Sequence, residues 1–135
     1  MHVLIMDGQG GGLGKQLVTA LKDEPDIFIT AVGTNSTATN AMLKAGADEG
    51  ATGENAAIVA CRKADVIMGP VGIAIADSLL GEITPKVAAA VGQSSAKKIL
   101  IPMNMCDIMI PGLKSVPIKN LIKDAIEQLK SIVGK

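Results

Sequence analysis

The first fifteen residues constrain this chain most. Val3-Leu4-Ile5-Met6 reads as a buried strand, Asp7 follows, and Gly8-Gln9-Gly10-Gly11-Gly12-Leu13-Gly14 leads into a helix. A strand that feeds a helix through a glycine loop turns tightly and aims unpaired N–H groups at one place. Those groups and the helix dipole favour an anion, most often phosphate. The loop therefore predicts a nucleotide or phosphate site built on Gly8, Gly10, Gly11, Gly12, Leu13 and Gly14. It names no reaction.

The rest of the chain alternates between short apolar runs and helical patterns. Strands are expected at residues 2–6, 27–32, 47–51, 65–68 and 98–101, with a further edge strand over Ile108-Met109-Ile110. Helices are expected at 12–23, 36–45 and 53–62, over an apolar stretch at 72–80, from Thr84-Pro85 to about Val91, and from near Pro117 onward. Asn35 or Ser36 suits an N-cap, and Thr84-Pro85 is a cap followed by proline at the first helical position. Strands apolar on both faces, alternating with helices, predict an α/β fold. The expectation is a doubly wound, mostly parallel open sheet of Rossmann-like type, in three layers α/β/α, as a single domain over residues 1–135.

Composition then removes whole classes of function. The formal net charge is zero and no basic stripe is visible, so nucleic acid is not an expected partner. There is no Trp, no Tyr and a single Phe, Phe28, so base-stacking platforms and aromatic support for a flavin are missing. No apolar run approaches the roughly 20 residues of a membrane span, and the strand-like start lacks the pattern of a signal peptide. Cys61 and Cys106 lie far apart without metal-ligand spacing, which suits a reduced, cytoplasmic protein. With one histidine and no tyrosine, a Ser-His-Asp triad, a histidine metal site and a tyrosine general acid are not expected.

Three glycine motifs compete for the loop. The dinucleotide fingerprint Gly-x-Gly-x-x-Gly fails, because its third glycine falls on Leu13 or Lys15. The P-loop fails because Gln16 stands where Ser or Thr would hold Mg²⁺, and its glycine spacing is one residue too long. Gly8-x-x-x-Gly12-Leu13-Gly14 resembles the loop of short-chain dehydrogenases. That resemblance implies NAD(P)-like binding, but the family's Tyr-x-x-x-Lys has no tyrosine to occupy it here.

Ligands in such sheets bind beyond the carboxyl ends of the strands. Here those ends carry Asp7–Gly14, Gly33–Thr37, Gly69–Gly72 and Pro102–Cys106. Asp7 repels a bare phosphate at short range. It has three ways out: to hold Mg²⁺ against a phosphate, to pair with Lys15, or to accept hydrogen bonds from the glycine loop. Thr34, Asn35, Ser36 and Thr37 contain no acid for ribose hydroxyls, which favours NADP over NAD or leaves an ordinary helix cap. Gly69, Pro70 and Gly72 should form a third wall. Asp77 and Glu82 stand in an apolar stretch as an acid pair or as solvated positions. Cys106, beyond the fifth strand, is a reactive thiol or a structural one.

Asp7–Lys15, Gly33-Thr34-Asn35, Ala41–Ala47, Gly50–Asn55, Gly69–Gly72, Gly81–Pro85 and Ile101–Asn104 together resemble a bacterial family of short proteins of unknown function. Three readings follow. The protein binds a small phosphorylated ligand such as NADP or another nucleotide. Alternatively it is an enzyme on a phosphorylated or carboxylated metabolite, using Asp7, Asp77 or Glu82, with or without Mg²⁺. Or it is an interaction subunit with a vestigial site, in which the apolar helices at 72–80 and 85–91 form an oligomer face. A homodimer is the expected state.

Overall fold

The computed structural model describes residues 1–104 and 107–134. Five strands run β1 (His2–Asp7), β2 (Phe28–Gly33), β3 (Glu49–Thr52), β4 (Val66–Pro70) and β5 (Lys97–Ile101). Their spatial order is β3-β2-β1-β4-β5 and every pairing is parallel. The helices are α1 (Gly12–Leu21), α2 (Ser36–Ala45), α3 (Glu54–Lys63), α4 (Pro85–Gln93) and α5 (Ile118–Val133). The chain is thus a doubly wound Rossmann-like α/β protein in three layers. The chain reverses its direction of travel across the sheet between β1 and β4, which opens a crevice beyond their carboxyl ends.

Each face of the sheet carries its own apolar core. Val3 and Ile5 of β1 pack with Leu17 and Leu21 of α1, Met42 of α2, and Ile126 and Leu129 of α5. Leu4 and Met6, the alternate residues of β1, pack instead with Ala57 and Cys61 of α3 and Val87 and Val91 of α4. Alternation along a strand sends neighbours to opposite faces, so β1 reads as continuously apolar because both faces are covered. Gly69 marks where β4 presses on β1. A Cβ there would overlap the Met6 carbonyl oxygen and lie 3.1 Å from Ile73 Cδ1.

Local signals explain two of the helix starts. Asn35 caps α2 by accepting from Ala38 N–H at 2.9 Å, and Thr84 caps α4 by accepting from Val87 N–H at 3.2 Å. Buried Thr39 in α2 reaches the Ala51 carbonyl and the Thr52 hydroxyl, fastening α2 to β3.

Two expected elements do not form. The apolar stretch 72–80 is not an α-helix. A short 3₁₀ turn, Val71–Ala74, gives way to a loop in which Asp77, Leu79 and Leu80 take φ of 67°, 56° and 56°. Bonds within the loop override the helical period there: Asp77 N–H donates to the Ile83 carbonyl at 2.7 Å, and Ser78 Oγ donates to the Gly72 carbonyl. The oligomer face expected on a 72–80 helix goes with it. Residues 108–110 do not make an edge strand, since only Ile108 carries a bridge.

A left-handed conformation costs an ordinary residue about 1–2 kcal/mol, and asparagine visits it readily. Leu80 is 84 % exposed, so shortening it sacrifices little burial. Leu80→Asn is therefore expected to raise stability by about 0.5–1 kcal/mol in urea unfolding. A loss of stability would contradict the strain argument.

Candidate functional site

Helix α1 begins on Gly11, which occupies the N-cap with φ 73° and has no side chain to cap with. Asp7, at the end of β1, supplies the missing acceptor. Its Oδ1 accepts from Gly8 N–H at 2.8 Å and its Oδ2 from Gly14 N–H, in the first turn of α1, at 2.7 Å. Of the three outcomes open to Asp7, the structure shows the third: the carboxylate orders the loop. Lys15 is exposed and makes no ion pair with it. Burial pushes the Asp7 carboxyl above its ordinary 3.8, against the pull of the Gly14 and Gly8 N–H groups, and Glu82 adds to the rise.

The loop glycines divide into two kinds. A Cβ on Gly14 would lie 2.5 Å from Met42 Sδ and 3.0 Å from Asp7 Cβ, and one on Gly11 would lie 2.8 Å from Ala38 Cα. A Cβ on Gly8 would meet Thr34 Oγ1 at 2.7 Å and Glu82 Oε1 at 2.9 Å. These three are small because protein presses on them. Gly10 and Gly12 meet nothing within 4 Å and have no left-handed φ that would demand glycine. Both line a cavity of about 360 Å³, and their N–H groups have no partner among the described residues. Leu13 completes that side, Pro70 enters from β4, and Leu79, Leu80, Met103 and Asn104 form the far wall. Asn104 is steadied by Ile110 N–H, which donates to its Oδ1 at 2.8 Å.

The tip of β2 holds a different arrangement. Glu82, from the loop before α4, lies over Thr34 and Asn35. Its Oε1 accepts from Gln9 N–H at 2.9 Å, from Asn35 Nδ2 at 2.9 Å, and from the Thr34 hydroxyl. Burial acts to raise the Glu82 pKa. The bonds from Thr34, Gln9 and Asn35 together outweigh it and hold the carboxyl below its ordinary value. An acid therefore does stand at the tip of β2, although none occurs in that segment of sequence.

The other candidates fall as follows. Ser36 and Thr37 are exposed on the first turn of α2, and Thr37 borders a separate hollow with Lys15 and Lys44. Gly69 is packed inside the sheet, and Gly72 sits in the 3₁₀ turn. Asp77 is exposed on its turn and shares no hydrogen bond with Glu82. Among the described residues, no three His, Cys, Asp or Glu side chains gather where they could hold a metal ion. Cys106 lies outside the described residues. Cys61 is buried, and burial pushes its thiol up to about 11 despite nearby Lys98, so it is inert at neutral pH. Leu79 and Leu80 were missed as wall residues because their apolar spacing imitates a helix.

The glycine loop and crevice on a parallel sheet define a Rossmann-like protein. The chain belongs to the family described as "Domain of unknown function (DUF3842)", whose model matches residues 2–134. Among solved structures, a dodecameric FMN-dependent Ubix-like decarboxylase from Escherichia coli O157:H7 is similar in fold. The TM-score is 0.57, with 18% identity over 96% of this chain and 95% of that one. No curated protein matches the chain. Among the described residues no helix is long and apolar enough to cross a membrane.

The two shifted carboxyls give opposite pH signatures. The native fold holds the Asp7 proton more tightly than the unfolded chain does. Its contribution is therefore complete below 3.8 and declines as pH rises through the native value. Asparagine does not titrate. The stability of wild type minus that of Asp7→Asn is expected to fall with rising pH across that window and then level off. A difference that grows with pH there would refute the burial account.

Proposed function

We propose that the protein binds a small phosphorylated ligand of the nucleotide class at the crevice between β1 and β4. The phosphate lies against the N–H groups of Gly10 and Gly12, and the apolar part lies against Pro70, Leu79, Leu80 and Met103. The observation that carries this reading is the pair Gly10 and Gly12, which no packing or backbone demand explains. A side chain at either position would fill the cradle. The cavity, about 360 Å³, falls within the range of about 300–1,000 Å³ common for small-molecule sites.

The dehydrogenase-like glycine spacing keeps NADP among the candidates. The Glu82 carboxylate weighs against it, because it already takes the Thr34 and Asn35 donors and would repel a 2′-phosphate there. A mononucleotide needs only one phosphate cradle. FMN, named for the decarboxylase of similar fold, is of this kind, and the wall of Leu79, Leu80 and Met103 offers its ring an apolar surface without aromatics. We further propose that the chain works in the cytoplasm as a homodimer.

Calorimetric titration with FMN, NADP(H), NAD(H) and ATP tests the reading, and no binding of any would sink it. Gly12→Ala discriminates more sharply. Alanine at the start of a helix should leave stability unchanged or raise it by up to about 1 kcal/mol. Ligand affinity should nevertheless fall about tenfold or more, as expected when a side chain blocks a close backbone contact. Unchanged affinity would show that the ligand lies elsewhere. Gly14→Ala should instead cost about 1–3 kcal/mol of stability, as overpacking does.

A further inference from the structure

A second, larger cavity lies away from the strand ends. It is an open groove of about 660 Å³ on the sheet face that carries α3 and α4. Three helices cover the opposite face, whereas α3 and α4 leave a strip over β2 and β3 bare. Leu4, Phe28, Val32 and Ala51 floor the groove, and Ala56 and Ala60 of α3 wall it. Strands of a parallel sheet normally have both faces covered.

Two features bear on what covers this one. Phe28 is the chain's only phenylalanine, and with no Tyr or Trp beside it in the sequence it stands 40 % exposed in the groove, tilted against the His2 ring at 5.4 Å between centroids. Aromatic side chains of this kind are concentrated in protein interfaces. The groove is also lined by opposite charges, Glu49 from β3 and Lys63 from the last position of α3. Neither is in an ion pair among the described residues. Glu49 is held in place by the Thr30 hydroxyl, which donates to its Oε2 at 2.8 Å. Under a two-fold axis, residue i of one copy meets residue j of the other and the reverse. A surface that carries both an acidic and a basic group can then complement itself.

We propose that this groove is the homodimer interface, occupied by a second copy of the chain, with Glu49 of each copy opposite Lys63 of the other. The inference rests on the homodimer reading above and locates its surface. Charge reversal tests it, because both residues are exposed and their exchange leaves the core intact. Light scattering at micromolar concentration should find wild type dimeric. Glu49→Lys alone and Lys63→Glu alone should each weaken the dimer about tenfold or more, since each sets like charges together twice. The double exchange should restore the dimer, and an equimolar mixture of the two single variants should form a heterodimer. A monomeric wild type overturns both the homodimer reading and the groove. A dimeric wild type whose variants all remain equally dimeric overturns the groove alone.

Discussion

The Asp7 carboxylate spans the turn on which the rest of the site depends. β1 ends where α1 must begin, and the residue at the helix cap is a glycine with nothing to offer the first turn. One buried carboxylate, bonded to Gly8 N–H and Gly14 N–H, joins strand to helix and sets the path of the loop between them. It does so at an electrostatic cost, visible in its raised pKa, that the helix N-terminus only partly offsets. Having taken the innermost donors, Asp7 leaves the outer ones, on Gly10 and Gly12, facing the cavity. The anion site suggested by the loop is therefore split. Its inner half is filled by the protein, and its outer half is open.

The fold was legible because its signals are local. Alternating apolar runs and helical periods marked all five strands and all five α-helices, and Asn35 and Thr84 announced their caps. The stretch 72–80 misled because apolar spacing alone does not weigh backbone bonds outside the helical i→i+4 pattern. Its backbone is set by contacts such as Asp77 to Ile83 and by the capture of Glu82 at the far side of the crevice. The expected strand at 108–110 failed for a related reason: three apolar residues satisfy a strand pattern whether or not a neighbour is in register.

The site was legible in part. The glycine loop and the strand ends marked the right region, but a run of glycines does not reveal which are small for packing and which for a visitor. That division needs Met42, Ala38 and Thr34, residues from other elements, in place. Glu82 was visible only as an odd carboxylate in an apolar stretch. Its meeting with Thr34 joins residues 48 positions apart, a distance that no periodicity reports.

The Glu82 contact also determines how the molecule loosens. One carboxylate oxygen gathers donors from the loops after β1 and β2, and its own loop carries Leu79 and Leu80, the wall of the cavity. These loops form a single mechanical unit fastened at one half-buried knot, and Ile83 and Leu79 of the Glu82 loop seat on the core beneath α3 and α4. Acid that protonates Glu82 releases the knot while the strands stay packed between the two cores. The crevice then breathes as a local opening, at far lower free energy than global unfolding. Amide exchange in loop 75–83 would quicken while the strands stayed protected, so access to the cavity is governed separately from the survival of the fold.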